Sequence, residues 1–155
     1  MHEWDDEIDV ETEESEEELI EKSNSATTEA HLSDFPAKGN NLNHIEPGLR
    51  IFIDQGKTGI EYIIDNGKGR IDILAIDDSG RFVVIELKLK NGNRRAIGQL
   101  LYDMGWIDAN MGGKIKPCRG IIIADEIKDE LKFAVSHVPK VKIASYKMNF
   151  SIGYV

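Results

Sequence analysis

The stretch RIDILAIDDSGRFVVIELKLK, residues 70–90, constrains this chain more than any other. Two alternating, β-rich runs, Arg70–Ile76 and Phe82–Leu89, flank Asp77-Asp78-Ser79-Gly80, which predicts an antiparallel hairpin. Asp78-Ser79-Gly80 suits a three-residue loop: a type I turn followed by Gly80 in the left-handed conformation. That register sets Asp77 opposite Arg81, Asp72 opposite Glu86 and Arg70 opposite Lys88. Side chains alternate along a strand, so Glu86 and Lys88 share a face with Asp72. Like charges directly opposite each other on a sheet repel at a Cβ separation of ~4.5–5.5 Å, and a divalent cation or a close lysine must offset them. Val83, Ile85, Leu87 and Leu89 make one apolar face. The other face begins with Phe82 and Val84 and then turns charged at Glu86, Lys88 and Lys90. This fits a central strand whose far end opens into a polar cleft. A half-exposed strand with surface ion pairs is the plainer alternative, and a one-residue slip of register would separate the two carboxylates.

The flanking sequence supplies the rest of an α/β domain. A first helix is predicted over about Thr28–Phe35, ended by Pro36. Leu49–Ile53 and Ile60–Ile64 read as strands. After the hairpin, Ile97, Leu100, Leu101, Met104, Ile107 and Met111 recur at helical spacing and define one apolar face, closed by Gly112-Gly113. Gly120–Ala124 is wholly apolar, as in a strand buried on both faces. Asp125 is the expected cap of a second helix with face Ile127, Leu131, Ala134, Val135 and Val138. Val141–Ser145 and Asn149–Tyr154 are expected closing strands. The order predicts a mixed central sheet flanked by helices.

Charge divides the chain in two. Residues 1–30 carry thirteen Asp/Glu and one Lys, a net −12, whereas residues 31–155 carry +3, together the total of −9. Residues 1–26 are therefore expected to be a disordered acidic tail, and residues 27–155 the domain. The tail is a candidate for screening the basic surface or docking a protein partner. No apolar run approaches the ~20 residues of a membrane span, and the acidic start does not resemble a secretory signal, so the expected compartment is the cytoplasm. Cys118 is the single cysteine. A disulfide or thiolate zinc site within one chain is thereby excluded.

Two carboxylates and a lysine on one face suit phosphodiester hydrolysis. Hard oxygen ligands fit Mg²⁺, which keeps several waters and binds through one or two carboxylates plus a phosphate oxygen. A nearby lysine can orient the attacking water or neutralise developing charge.

Asp72 followed by Glu86-Leu87-Lys88 on the next strand resembles the core motif of the PD-(D/E)XK nuclease superfamily. Four blocks resemble the C-terminal catalytic domain of NucS-like endonucleases in particular: Ile45–Leu49, Gly69–Leu74, Val83–Lys88 and Ala96–Leu101, with Gly105-Trp106 after the last. The resemblance covers about residues 28–138. It implies a restriction-endonuclease-like core and a Mg²⁺- or Mn²⁺-dependent endonuclease acting on DNA. Asp72, Glu86 and Leu87 would surround the metal. Lys88 would orient water or stabilise charge, Gln99 would support it from the following helix, and Glu29 would add a carboxylate from the first helix. Relatives often carry an aromatic four residues after the Gln. Here that position is Asp103, and Tyr102 stands one place earlier.

Arg70, Lys90, Arg94 and Arg95 are candidates for DNA phosphate contacts, and Lys114, Lys116 and Arg119 are further ones. Each could equally be solubilising charge. Gly56-Lys57-Thr58 lacks the earlier glycine of a phosphate loop and reads as an ordinary loop. Trp106, Tyr62 and Tyr146 read as packing residues. Two functional readings result. The first is the DNA endonuclease, preferring single-stranded or branched DNA to intact duplex, with a homodimer expected for either reading. The second is a catalytically weak nucleic-acid-binding or protein-interaction module on the same fold, motivated by Asp103 and by the interrupted first helix.

Overall fold

The computed structural model describes residues 41–88, 93–112, 116–146 and 151–155. The acidic tail, the expected first helix with Glu29, and Lys90 and Lys114 lie outside the described residues. Strands β1 (Arg50–Ile51), β4 (Ile60–Ile64), β5 (Gly69–Ile76), β6 (Phe82–Lys88), β7 (Arg119–Ala124) and β8 (Val141–Ser145) form one mixed sheet. Strands β2 (Ile53–Asp54) and β3 (Lys57–Thr58) form a separate short hairpin. Helix α1 (Arg95–Asn110) joins β6 to β7, and α2 (Asp129–Val135) joins β7 to β8. Both of these connections link parallel neighbours, which is why each needs a helical crossover.

The expected strand Leu49–Ile53 is interrupted. Phe52 leaves the β1 pairing and the chain loops out as β2–β3, returning as β4 farther along the same edge of β5. Gly56-Lys57-Thr58 is thus the tip and second strand of that hairpin. The junction is held by three main-chain bonds: Phe52 N–H to Leu74 O (3.0 Å), Gly59 N–H to Phe52 O (2.7 Å) and Leu74 N–H to Gly59 O (2.7 Å). A Cβ at Gly59 would run into the Leu74 carbonyl. Gly59→Ala is therefore expected to cost about 2–4 kcal/mol, since backbone cannot yield as a side chain does. A fall in the urea midpoint measures this.

The hairpin between β5 and β6 forms in the predicted register, with Ile76 opposite Phe82 and Ile73 opposite Ile85. Asp77 pins the turn: its Oδ1 accepts from Ser79 N–H (3.0 Å), the Ser79 hydroxyl (2.6 Å) and Arg81 N–H (3.0 Å). Gly80 follows at φ +82°. Strand β6 lies inside the sheet, between antiparallel β5 and parallel β7, and Val83–Leu87 are buried. On one side of the sheet Leu74, Val84 and Ile122 pack with Ile97, Leu100, Met104 and Ile107 of α1 and Leu131 of α2. On the other, Ile73, Ala75, Val83, Ile85, Leu87, Ile121 and Ile123 pack with Leu42 and Leu49.

Two predicted boundaries shift. Asp125 does not cap the second helix, which begins at Asp129 after an extended Lys128 (φ −75°, ψ 148°). Asp129 and Glu130 then sit in its first turn, where the helix dipole favours carboxylates. Of the expected closing strand over 149–154, residues 151–155 are exposed and form no strand, and the remainder lies outside the described residues.

The end of the sheet near the turn is fastened by Arg119. Its guanidinium meets Glu46 (Nη2–Oε2 2.5 Å) and Asp77 (Nη2–Oδ2 3.2 Å), and Lys142 also reaches Glu46 (3.5 Å). Arg119 is therefore an internal tie rather than a phosphate contact, and Lys116 is likewise engaged with the Ser79 carbonyl. The Arg119 hydrogen bond, working against burial, holds the Glu46 carboxyl below its ordinary value. Burial raises Asp77, but bonds from Ser79, Arg81 and Arg119 outweigh it and the net shift is downward. Depressed carboxylates stabilise the fold above their unfolded values, 4.5 and 3.8, and that stability is lost as pH falls through the folded ones. Arg119→Met is expected to cost about 2–3 kcal/mol at pH 7 and much less at pH 3. Urea titrations at the two pH values give the difference.

Candidate active site

The β5–β6 ladder stops at Ile73 opposite Ile85, one pair before Asp72 and Glu86. Beyond it the Leu87 N–H donates to Asp72 Oδ2 (2.9 Å) rather than to a main-chain carbonyl. A side chain of β5 thus takes the place of its backbone just where a cleft opens. The expected pairing of Arg70 with Lys88 does not form. Arg70 pairs with Ile63 of β4, and its guanidinium lies 3.7 Å from Asp72 Oδ1 and 3.6 Å from Glu61 Oε1.

The cleft, about 230 Å³, is lined by Lys68, Gly69, Arg70, Asp72, Glu86, Lys88, Gln99, Tyr102 and Asp103. The structure therefore brings together Asp72, Glu86, Lys88, Gln99 and Arg70 from residues 70–99 of the sequence. Arg94 and Arg95 are exposed at the start of α1, outside the cleft lining. Leu87 buries its side chain in the cluster on the far face of the sheet, so only its main chain is available to the site.

Asp103 is the residue that sequence reasoning misses. It stands out there as a departure from relatives, but not as part of the site. It falls on the buried stripe of α1 with Leu100, Met104 and Ile107. A carboxylate at that helical spacing is the available signal, because such a position is otherwise apolar. Glu86 and Asp103, at 1% and 2% exposure, are the buried charged residues among those described. Burial pushes Glu86 up to about 10, reinforced by its hydrogen bond to Asp103 and by the nearby Asp72 charge, with Lys88 opposing. Burial also raises Asp103, while the bond from Glu86 favours its ionised form. Of the two, Glu86 is the carboxyl on which burial most favours the neutral form. Glu86 Oε1 and Asp103 Oδ2 are left without partners.

Tyr102 is exposed at the cleft edge and its hydroxyl donates to Asp65. Trp106 and Tyr62 pack against the helix-side core, and Tyr146 packs on the opposite face, as expected of them. Burial, with Asp108 adding to it, raises the Cys118 thiol to about 12, which makes it unreactive at neutral pH.

These residues suit a hydrated divalent cation. Asp72 and Glu86 offer hard oxygens beside the Leu87 main chain, and the orphaned Glu86 oxygen lacks the partner that a cation would supply. Among the described residues no three His, Cys, Asp or Glu side chains already stand at ligand spacing.

A mixed sheet whose central hairpin delivers Asp72 and Glu86-Leu87-Lys88 to one cleft defines a restriction-endonuclease-like PD-(D/E)XK protein. The sequence matches the endonuclease NucS C-terminal domain over residues 29–137, and the chain belongs to that family. Two solved structures share the fold. One is a repair endonuclease from Pyrococcus abyssi, 20% identical, with a TM-score of 0.58 over 88% of this chain and 50% of that one. The other is an EndoMS–dsDNA2 complex, 23% identical, with a TM-score of 0.54 over 68% of this chain and 39% of that one. The chain spans half or less of the length of these structures. No curated protein sequence matches it. Among the described residues no helix is long and apolar enough to cross a membrane.

Proposed function

We propose that this cleft hydrolyses phosphodiester bonds of DNA with a divalent cation, Mg²⁺ or Mn²⁺. The observation that carries the reading is the convergence of Asp72, Glu86 and Lys88 in one polar cleft at the end of a buried central strand. Asp72 and Glu86, with the Leu87 main chain, would hold the cation. When bound, it would polarise the phosphate and make water a better nucleophile. Burial favours the neutral form of Glu86, so a cation bound there would compete with its proton.

The remaining roles belong to the chain's own cations and amide. Lys88, half-buried beside Glu86, would orient the attacking water and balance charge gathering on the phosphate oxygens. Gln99, exposed on α1 at the cleft wall, would hold water or a phosphate oxygen by its amide. Lys68 and Arg70, exposed on the same lining, would bind the flanking phosphates. Arg70 already occupies the position beside Asp72 that a cation would share.

Labelled single-stranded, flapped, mismatched and duplex DNA, incubated with the protein in Mg²⁺ and in Mn²⁺, tests the proposal. The expected result is metal-dependent cutting that favours single-stranded or branched forms. Tight binding of every form with no cutting in either metal would instead support the binding-module reading.

A further inference from the structure

The buried Asp103 has a cost that the fold does not require of it. Its neighbours on the inner face of α1, Leu100, Met104 and Ile107, are apolar and complete the helix-side core. A leucine there would continue that stripe. An unpaired buried carboxylate is instead among the most unfavourable groups a core can hold. The cost is compounded at this point, because Glu86 is buried in the same cleft lining and both keep an oxygen without a partner. Both residues line the same cleft as Asp72. The three carboxylates carry three negative charges when ionised, and Lys68, Arg70 and Lys88 of the same lining supply three positive ones. Arg70 also divides its charge with Glu61. Among the described residues no ion pair brings a lysine or arginine to Glu86 or Asp103, so the positive charge of the cleft stops short of these two groups and their orphaned oxygens.

We propose that Asp103 is a third carboxylate of the cation site, binding the ion directly or through one of its waters. The inference rests on the reading of the cleft as a metal site. Asp103 comes from α1, whereas Asp72 and Glu86 come from the β5–β6 hairpin. The cation would therefore tie helix to sheet as well as serve the reaction.

Asparagine at this position separates the role from simple support of Glu86. Its amide can still hydrogen-bond Glu86, but it brings no negative charge. Calorimetric titration of the full chain with Mn²⁺ alone, without DNA, should be run on wild type, Asp103→Asn and Glu130→Gln. Glu130 is exposed on α2 and controls for general loss of charge. The expected result is at least roughly tenfold weaker Mn²⁺ binding in Asp103→Asn, what loss of one carboxylate near a metal produces. Glu130→Gln should bind as wild type, and Asp103→Asn should melt no lower than wild type in EDTA. Mn²⁺ binding by Asp103→Asn that stays close to the wild-type affinity would overturn the inference while leaving the two-carboxylate site intact. Absence of Mn²⁺ binding by wild type at millimolar concentration would overturn it together with the metal reading of the cleft.

Discussion

Substituting Lys88 with alanine is expected to slow DNA cleavage by roughly 10²–10³-fold, the loss seen when one positioned charge-stabilising group is removed. The size follows from where the ammonium sits. Lys88 ends a buried strand, one residue beyond Leu87 and on the same face as Glu86, at a site sheltered on its sheet side. Charge in such surroundings is screened less than on an open surface. The effect should fall mainly on the turnover rate, because Lys68 and Arg70, as proposed phosphate contacts, would be left in place. Single-turnover assays with saturating protein, together with a gel-shift titration, separate the two. A variant that cuts at the wild-type rate would remove Lys88 from the chemistry.

The second large effect concerns stability and has the opposite sign. Glu86→Gln is expected to stabilise the metal-free domain by about 1–3 kcal/mol at pH 8, seen as a melting point several degrees higher in EDTA. In the wild type, folding keeps a proton on Glu86 that the unfolded chain releases near its ordinary value of 4.5, since burial lifts the folded group to about 10. Between those values the native state binds more protons than the unfolded one, so stability falls as pH rises. The glutamine amide of the variant would donate to Asp103 without needing a proton, and the slope would flatten. Millimolar Mn²⁺ should reverse the order, stabilising wild type and leaving Glu86→Gln unmoved. Melting curves from mildly acidic to mildly alkaline pH, with and without Mn²⁺, measure all of this. Equal slopes for the two proteins would show that Glu86 is ionised in the native state.

The hairpin is legible in the sequence because its information is local. Asp77, Ser79 and Gly80 settle the turn within a few residues, and the turn settles the register that brings Asp72 near Glu86. Helix α1 and strand β7 are legible for a similar reason, one from its 3.6-residue period and the other from an unbroken apolar run. What escapes the sequence depends on distant partners. Arg119 looks like any surface cation, since Glu46 lies 73 residues away and Asp77 42. The parting of β5 and β6 beyond Ile73 depends on a side chain, Asp72, replacing a main-chain acceptor, and no propensity records that. Asp103 lies between these cases. Its helical phase is readable, but the meaning of a carboxylate on that face appears only once Glu86 is found opposite it.

Whether the carboxylate–lysine cleft cuts DNA is tested most directly with a labelled flapped or single-stranded DNA. It is incubated with wild type and with Asp72→Asn/Glu86→Gln, purified identically, in Mn²⁺ and in EDTA. Discrete products are expected from wild type in Mn²⁺ alone, and intact DNA in the other three reactions. Equal cutting by the double variant, or cutting that persists in EDTA, would contradict a metal-dependent nuclease built on these residues.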